Sequence, residues 1–178
     1  MLILVINKLV NMETYYEKQK FNQWWIKLSI FIPFVIVFWG VITGKTQGEN
    51  GTSMLIASVV LGFVAVLFYY TNLETRIDTE GITIRFFPFQ RVYYYVRWDE
   101  INSATVRNYK PIREYGGWGL RYSFTHGKAY NVAGTVGLQL VLKSGKKFLI
   151  GTQKGEDLRA FLLKLQNEKG LTCINQTT

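Results

Sequence analysis

Residues 53–70 read SMLIASVVLGFVAVLFYY, a run that contains no charged side chain. A second apolar run, WWIKLSIFIPFVIVFWGVI at residues 24–42, carries one charge, Lys27, near its start. A helix needs roughly 17–25 apolar residues to cross about 30 Å of hydrocarbon. Both runs meet that length, and the run at 24–42, which comes first in the chain, begins too late and is too long for a signal peptide. The sequence therefore predicts two transmembrane helices, at 24–42 and 53–70.

The residues that flank these runs predict their orientation. Aromatic residues, which favour the interface between hydrocarbon and headgroups, open the first run at Trp24 and close the second at Tyr70. Basic residues lie before the first run and after the second, namely Lys8, Lys18, Lys20, Arg76, Arg85 and Arg91. The positive-inside rule then predicts a multi-pass protein of the cell inner (plasma) membrane, with both termini in the cytoplasm.

The remaining residues, 71–178, are strongly basic. They contain 16 Lys+Arg and 9 Asp+Glu, a net charge of +7 out of +9 for the chain. A basic domain held beneath an anionic leaflet is attracted to lipid headgroups. This accounts for the charge without nucleic acid, which we do not expect as a partner. We expect the bilayer itself, anionic lipid headgroups, and a protein partner or a second copy of the chain.

After residue 70 the pattern changes from continuous apolar runs to the alternation typical of half-buried strands. Strands are predicted from ETRID, ITIRFF, VYYYVRW and SATVRNY, at 74–78, 82–87, 92–98 and 103–109. Gly81, in the turn after the first of these, can take a positive φ at little cost. LQLVL and KFLIGT, at 138–142 and 147–152, flank a hairpin turn at Ser144 and Gly145. The spacing of Leu158, Phe161, Leu162 and Leu165 then predicts a closing amphipathic helix.

The sequence also resembles a family of bacterial membrane proteins with pleckstrin-homology-like (PH-like) domains. The resemblance covers roughly residues 20–165 and lies in IDTEGITI, WDEI, GGWGLR and GLQLVLKSGKKFLIGTQ. It implies a two-helix transmembrane hairpin followed by a mainly-β PH-like barrel or sandwich. That domain would have about seven antiparallel strands and a closing C-terminal α-helix. The family supplies no catalytic residues to carry over, and Asp78 and Glu80 in the first hairpin differ from the basic cluster of phosphoinositide-binding PH domains.

These patterns divide the chain into four segments. They are an N-terminal cytoplasmic segment (1–23, with Met12 as an alternative start), the helical hairpin (24–70), the cytoplasmic β domain (71–170) and a disordered tail (171–178). The sole cysteine, Cys173, falls in the tail, so no internal disulfide can form.

The stretch EYGGWGLRY, residues 114–122, is the candidate site and has two interpretations. Its three glycines can form a turn whose conformations are closed to other residues. Alternatively, Tyr115 and Trp118 form an exposed aromatic contact, and Arg113 and Arg121 supply cationic donors to a lipid headgroup or a partner.

The sequence offers little catalytic chemistry. His126 is the only histidine, and no carboxylate occurs between Glu114 and Glu156 that would complete a metal site around it. Asp99 and Glu100 are adjacent, so on a strand they would point to opposite faces; we interpret WDEI as a corner with Trp98 and Ile101 buried. We therefore predict no catalytic residue, no metal and no cofactor.

The favoured function is a non-enzymatic scaffold or adaptor that presents its basic domain to protein or to anionic lipid. The alternative is a small-ligand sensor or enzyme with its site in the glycine- and aromatic-rich loop 108–135.

Overall fold

The computed structural model describes residues 14–21, 24–43 and 49–175. Within these ranges the chain forms two compact units: a helical unit, Lys20–Thr71, and a β unit, which comprises the described residues up to Gln19 and from Asn72 onward. The helices are α1 (Trp24–Ile42), α2 (Glu49–Tyr70), α3 (Pro111–Tyr115) and α4 (Gly155–Lys169). The strands are β1 (Tyr15–Lys20), β2 (Asn72–Ile77), β3 (Gly81–Phe87), β4 (Tyr94–Arg97), β5 (Ile101–Asn108), β6 (Gly119–Ser123), β7 (Gly127–Asn131), β8 (Val136–Leu142), β9 (Lys147–Thr152) and β10 (Ile174–Asn175).

The helical unit consists of α1 and α2, which pack against each other. The rings of Phe21 and Phe68 lie 5.5 Å apart, so the start of α1 and the end of α2 lie at the same end of the unit. Thr52–Tyr70, with a mean hydropathy of 2.2, is the one described segment long and apolar enough to cross a membrane by length and composition. The apolar segment of α1, Lys27–Ile42, is shorter. Both predicted segments are helical, but among the described residues only the second meets this criterion for a membrane span.

The first sheet of the β unit has four strands in the order β1-β2-β3-β4. β3 runs antiparallel to both β2 and β4, with Thr75 opposite Ile84 and Ile82 opposite Val96. The apolar side chains Ile77, Ile82, Ile84 and Val96 are buried, as the alternation in this region predicts. The predicted strand at 92–98 is shorter than expected, because Val92 lies exposed before β4 and Trp98 begins a 3₁₀ turn.

Gly81 is needed for a different reason from the one predicted. It is not among the glycines with positive φ. A Cβ on Gly81 would instead collide with the carbonyl oxygen of Val96 and lie against the ring of Tyr95. The turn before it is held by Asp78, whose Oδ1 accepts hydrogen bonds from the amides of Glu80 and Gly81 at 2.9 and 3.0 Å. Close approach of two strands, not turn conformation, therefore selects glycine here.

A cluster of charged residues on the first sheet joins β1 to its neighbours. Glu74 lies 2.6 Å from both Lys18 and Arg85, and accepts a 3.0 Å hydrogen bond from the hydroxyl of Tyr93. Burial alone would raise the pKa of Glu74, but the hydrogen bonds from Lys18, Tyr93 and Arg85 outweigh it and the pKa is lowered. We call Lys18, Glu74, Arg85 and Tyr93 the acid–base cluster.

The second sheet has six strands in the order β10-β5-β8-β9-β7-β6. Two pairs, β10 with β5 and β7 with β9, are parallel, and the other three are antiparallel. The predicted hairpin of β8 and β9 is confirmed, with Gly145 at φ 81° in its turn. α4 buries Leu158, Leu162 and Leu165, and ends at Gly170 with φ 65°. The predicted corner is also confirmed, since Trp98 and Ile101 are buried.

The predicted fold class is wrong. The described β unit has ten strands in two sheets, one of four strands and a mixed one of six, instead of about seven antiparallel strands in one PH-like barrel or sandwich. The helices do not simply precede the β unit, because β1 comes before α1 and pairs with β2. Residues 174–175, expected in a disordered tail, form β10 beside β5. The remainder of the predicted tail, 176–178, the first thirteen residues, and most of the connection between the helices lie outside the described residues.

The hydrophobic pattern of the sequence does not indicate β1, because the buried face of this strand is mainly polar. Glu17 accepts hydrogen bonds from the hydroxyls of Tyr15 and Thr152, both at 2.7 Å, and from the amide of Gln153 at 2.8 Å. Gln19 donates to the carbonyl oxygen of Gly151 at 2.6 Å. Hydrogen bonds therefore satisfy the buried carboxylate of Glu17 and the Nε2 of Gln19, and hydropathy carries no trace of the strand.

Candidate functional site

The glycines of EYGGWGLRY form a turn. Gly116, Gly117 and Gly119 have φ values of 74°, 125° and 115°, all in the region that favours glycine. Gly116 ends α3: its amide donates to the carbonyl oxygen of Ile112, and the amide of Gly117 donates to that of Pro111. These two bonds satisfy carbonyl groups at the end of the helix. The turn interpretation accounts for all three glycines.

Trp118 and Arg121, two of the predicted binding residues, make hydrogen bonds that hold this turn in place. Trp118 is half-buried, and its indole Nε1 donates to the carbonyl oxygen of Gly134 at 3.0 Å. The Nε of Arg121 donates to the carbonyl oxygen of Trp118, also at 3.0 Å. Trp118 and Arg121 are thus brought together by the structure, as part of the turn.

Tyr115 lies in the core instead of on the surface. It is 5% exposed, packs in one cluster with Tyr109, Ala129 and Leu149, and its ring meets that of Tyr109 edge to face. The expectation that Tyr115 forms an exposed aromatic contact is therefore wrong. The sequence could not separate the two cases, because a tyrosine beside a glycine turn suits either.

Arg113 is the one predicted residue that lines a groove. This basic groove is a surface depression of about 570 Å³ in the β unit, lined by Arg107, Lys110, Arg113, Glu114, His126, Gln139, Val141 and Lys147. Its residues come from separate parts of the chain that the six-stranded sheet and α3 bring together.

Strand register and a short helix position the groove side chains. Arg107 and Gln139 lie on the neighbouring strands β5 and β8, and the guanidinium donates from Nη2 to Gln139 Oε1 at 3.0 Å. Lys110 precedes α3, whose first residue is Pro111, a residue with φ preset for that position. Lys147 begins β9, beside the turn between β6 and β7.

Glu114 is the only carboxylate among the lining residues, and its charge is compensated. Its Oε2 lies 2.7 Å from Nη2 of Arg107, and its Oε1 accepts from the amide of Lys110 at 2.7 Å. Partial burial would by itself raise the pKa of Glu114, but the hydrogen bonds from Arg107 and the Lys110 amide lower it overall. Glu114 therefore fixes the start of α3 to β5 and stays ionised.

His126 closes one side of the groove. Its Nε2 lies 3.8 Å from Oε2 of Glu114, and its Nδ1 lies 2.7 Å from the hydroxyl of Thr125. The Nζ of Lys147 donates to the carbonyl oxygen of Thr125 at 3.2 Å, which holds this lysine against the same turn. His126 and Lys147 are therefore parts of one wall.

The remaining cations give the groove a positive charge. Lys110, Arg113 and Lys147 have no carboxylate within ion-pair distance among residues 14–21, 24–43 and 49–175. With Arg107 and Glu114 balancing each other, three positive charges remain around the depression. In the same ranges no group of three or more His, Cys, Asp or Glu is placed to hold a metal ion. The chemistry that the groove offers is the binding of an anion.

Beside the groove, the hairpin of β6 and β7 carries two exposed aromatic rings near its turn. Phe124 is 98% exposed and Tyr122 is 69% exposed. The two rings lie edge to face with their centroids 5.7 Å apart. We call Tyr122 and Phe124 the hairpin tip. Thr125, which follows it, contacts both His126 and Lys147 of the groove wall.

The sequence missed most of this surface. Residues 108–135 were expected to be a loop, whereas they contain α3, β6 and β7. One signal was available: YSFTHG places a phenylalanine between polar residues just before a glycine, and Gly127 has φ 78° at the hairpin turn.

The chain matches no protein-family model and no curated protein sequence.

Proposed function

We propose that the protein is a membrane-anchored interaction module whose β unit docks on the anionic lipid of the cytoplasmic leaflet through the hairpin tip. The carrying observation is Phe124, a phenylalanine 98% exposed beside a groove with three uncompensated cations. Phe124 and Tyr122 form one exposed apolar patch at the end of the hairpin, and such a patch bordered by charged groups is typical of a surface that contacts a membrane or a protein. Anionic lipid supplies both an apolar interior and a negative face.

The helical unit supports the anchoring part of the proposal. Its outward side chains are apolar, including Phe31, Ile36, Val59 and Phe63, each well exposed. The segment Thr52–Tyr70 has the length and hydropathy of a membrane span, and α1 packs beside it. In water these side chains would be costly to expose, whereas in hydrocarbon they are in their favoured solvent.

The path of the chain and its charge support placing the β unit on the cytoplasmic side of the membrane. Phe21 and Phe68 are in contact, so the chain enters and leaves the helical unit at one end. The segment that follows the helical unit in the sequence is the basic part of the chain, with 16 Lys+Arg against 9 Asp+Glu in residues 71–178. The positive-inside rule then favours a plasma membrane protein with the β unit in the cytoplasm.

The energetics of docking are favourable because the β unit is already tethered. Transferring one phenylalanine side chain out of water contributes about 1.5–3 kcal/mol. Each lysine or arginine close to an anionic surface adds about 1 kcal/mol. Tethering makes the contact intramolecular, so these modest contributions are enough to populate a docked state.

Hydrogen exchange of the full chain in lipid nanodiscs tests this function. Amides of residues 119–131, which span β6, the hairpin tip and β7, are expected to exchange about tenfold more slowly in nanodiscs that contain phosphatidylserine than in phosphatidylcholine alone. Phe124→Ser is expected to abolish the difference. Leu163→Ser, which removes an exposed apolar side chain from α4, is the matched control and is expected to preserve it.

Equal exchange of residues 119–131 in the two lipids would contradict docking on anionic lipid. A difference that persists in Phe124→Ser would contradict the role of the hairpin tip. Slowing that occurs only when a second protein is added, and in either lipid, would assign the tip to a protein partner instead.

A further inference from the structure

We propose that the basic groove binds a phosphate group through Lys110, Arg113 and Lys147. This inference goes beyond membrane docking and does not depend on it, because the three cations line a depression of their own. The shared chemistry is a phosphate with at least two free oxygens, whether it ends a lipid headgroup or belongs to a soluble molecule.

The first step of the argument concerns charge. Three cations around one depression repel one another, and among the described residues only Glu114 could offset them within it. Glu114 is already bound by Arg107 at 2.7 Å and by the Lys110 amide at 2.7 Å. Its negative charge is therefore used to hold the groove together, and an incoming anion meets a net positive field.

The second step concerns geometry. The cations come from different elements: Lys110 and Arg113 lie at the two ends of the first turn of α3, and Lys147 lies at the start of β9. Lys147 is held to the Thr125 carbonyl at 3.2 Å, in the turn that also positions His126. A ligand in the groove can thus accept hydrogen bonds from both elements.

The third step concerns ligand class. The planar guanidinium of Arg113 can donate two parallel hydrogen bonds to neighbouring oxygens, and the lysine ammonium groups act as point charges. A carboxylate offers two oxygens to this set, whereas a terminal phosphate offers three and carries more charge. The depression, at about 570 Å³, also leaves room for the remainder of a molecule that ends in phosphate.

The opposing interpretation is that these side chains are simply solvated, as exposed lysines and arginines usually are. It makes a different prediction, because solvated cations anywhere on the β unit would attract an anion equally well. Lys143 and Lys146, exposed near the β8–β9 turn and outside the groove, provide the matched comparison.

Two binding measurements on the full chain in phosphatidylcholine nanodiscs test the inference. In one arm, inorganic phosphate is titrated and followed by calorimetry. In the other, nanodiscs carry a small fraction of phosphatidate, and the chemical shift of its phosphomonoester is followed by ³¹P NMR. Lys110→Gln/Arg113→Gln is expected to weaken binding at least about tenfold, and the charge-matched Lys143→Gln/Lys146→Gln about twofold or less.

Each outcome decides something. Binding in the first arm with selective loss in the groove variant supports a soluble phosphate ligand, and binding in the second arm alone supports a lipid headgroup. Absence of binding in both arms, or equal loss in both double variants, would overturn the proposal. Phe124→Ser is expected to keep phosphate binding, so failure of the hairpin-tip function and failure of this site are distinguishable.

Discussion

Glu17→Ala is expected to loosen the β unit, because Glu17 connects β1 to the end of β9. The carboxylate is 5% exposed and accepts hydrogen bonds from Tyr15, Thr152 and Gln153 at 2.7, 2.7 and 2.8 Å. Alanine is compatible with the strand, but it removes the carboxylate that accepts all three hydrogen bonds. The prediction therefore tests whether this unforeseen strand is an integral part of the sheet.

The magnitude follows from counting the donors left without an acceptor. The hydroxyls of Tyr15 and Thr152 lie 3.3 Å apart, so one can donate to the other after the substitution. One hydroxyl and the amide of Gln153 then remain unsatisfied. Each buried unsatisfied donor costs about 1–3 kcal/mol, and water entering the space offsets part of this, so we expect a loss of about 2–4 kcal/mol.

Amide exchange of residues 147–152 in the full chain, solubilised in mild detergent, measures this loss. A change of about 2–4 kcal/mol corresponds to exchange about 30- to 1,000-fold faster. Tyr16→Ala is the control, because Tyr16 lies on the opposite, exposed face of β1 and its loss is expected to change exchange by only about twofold. Exchange in Glu17→Ala no faster than in Tyr16→Ala would refute the reasoning.

Two further predictions concern stability. Gly81→Ala is expected to lower the midpoint of thermal unfolding more than Gly116→Ala. A Cβ at Gly81 collides with the backbone of Val96. At Gly116 a Cβ meets open space, so the cost is only that of the positive φ, about 1–2 kcal/mol. An equal effect of the two would contradict the close approach of β3 and β4. The lowered pKa of Glu74 means that its contribution is fully present above about pH 4.5 and is lost as the pH falls through the folded-state value. Between pH 5 and pH 3, wild type is therefore expected to lose more thermal stability than Glu74→Gln, and parallel losses would contradict a role for the acid–base cluster.

The sequence was informative wherever apolar spacing carried the structure. Two unbroken apolar runs indicated α1 and α2, alternation indicated β3 and β8, and the spacing of Leu158, Leu162 and Leu165 indicated α4. In each case burial of side chains on one face determines the element, and burial leaves a period in the sequence.

The elements that escaped prediction are short or have few large aliphatic side chains at their buried positions. Glu17 and Gln19 are buried in β1 because particular donors and acceptors of β9 and its flank meet them, and those partners lie more than 130 residues away. β6 and β7 contain few apolar residues and are held by pairing with each other and with β9. Long-range hydrogen bonding of this kind has no local signature.

The candidate site was predicted only in part for a related reason. Arg113 was identified from its neighbourhood of glycine and aromatic residues, and it does line the groove. Tyr115 and Trp118 belong to the same stretch, but Tyr115 is buried in the core and Trp118 is hydrogen-bonded at the turn. Arg107 and Lys147 enter the groove from β5 and β9, which only the sheet order brings near α3.

The most direct test of membrane docking is the depth of residue 125 in the bilayer, beside the intact Phe124. A nitroxide label is placed at Thr125→Cys, an exposed position, in a Cys173→Ser background, since Cys173 is the sole native cysteine, with Ser144→Cys at the β8–β9 turn as the control. In vesicles that contain phosphatidylserine, we predict that the label at 125 collides mainly with oxygen, which concentrates in hydrocarbon, and the label at 144 mainly with a water-soluble nickel chelate. Equal access of the chelate to both labels would contradict docking of the hairpin tip.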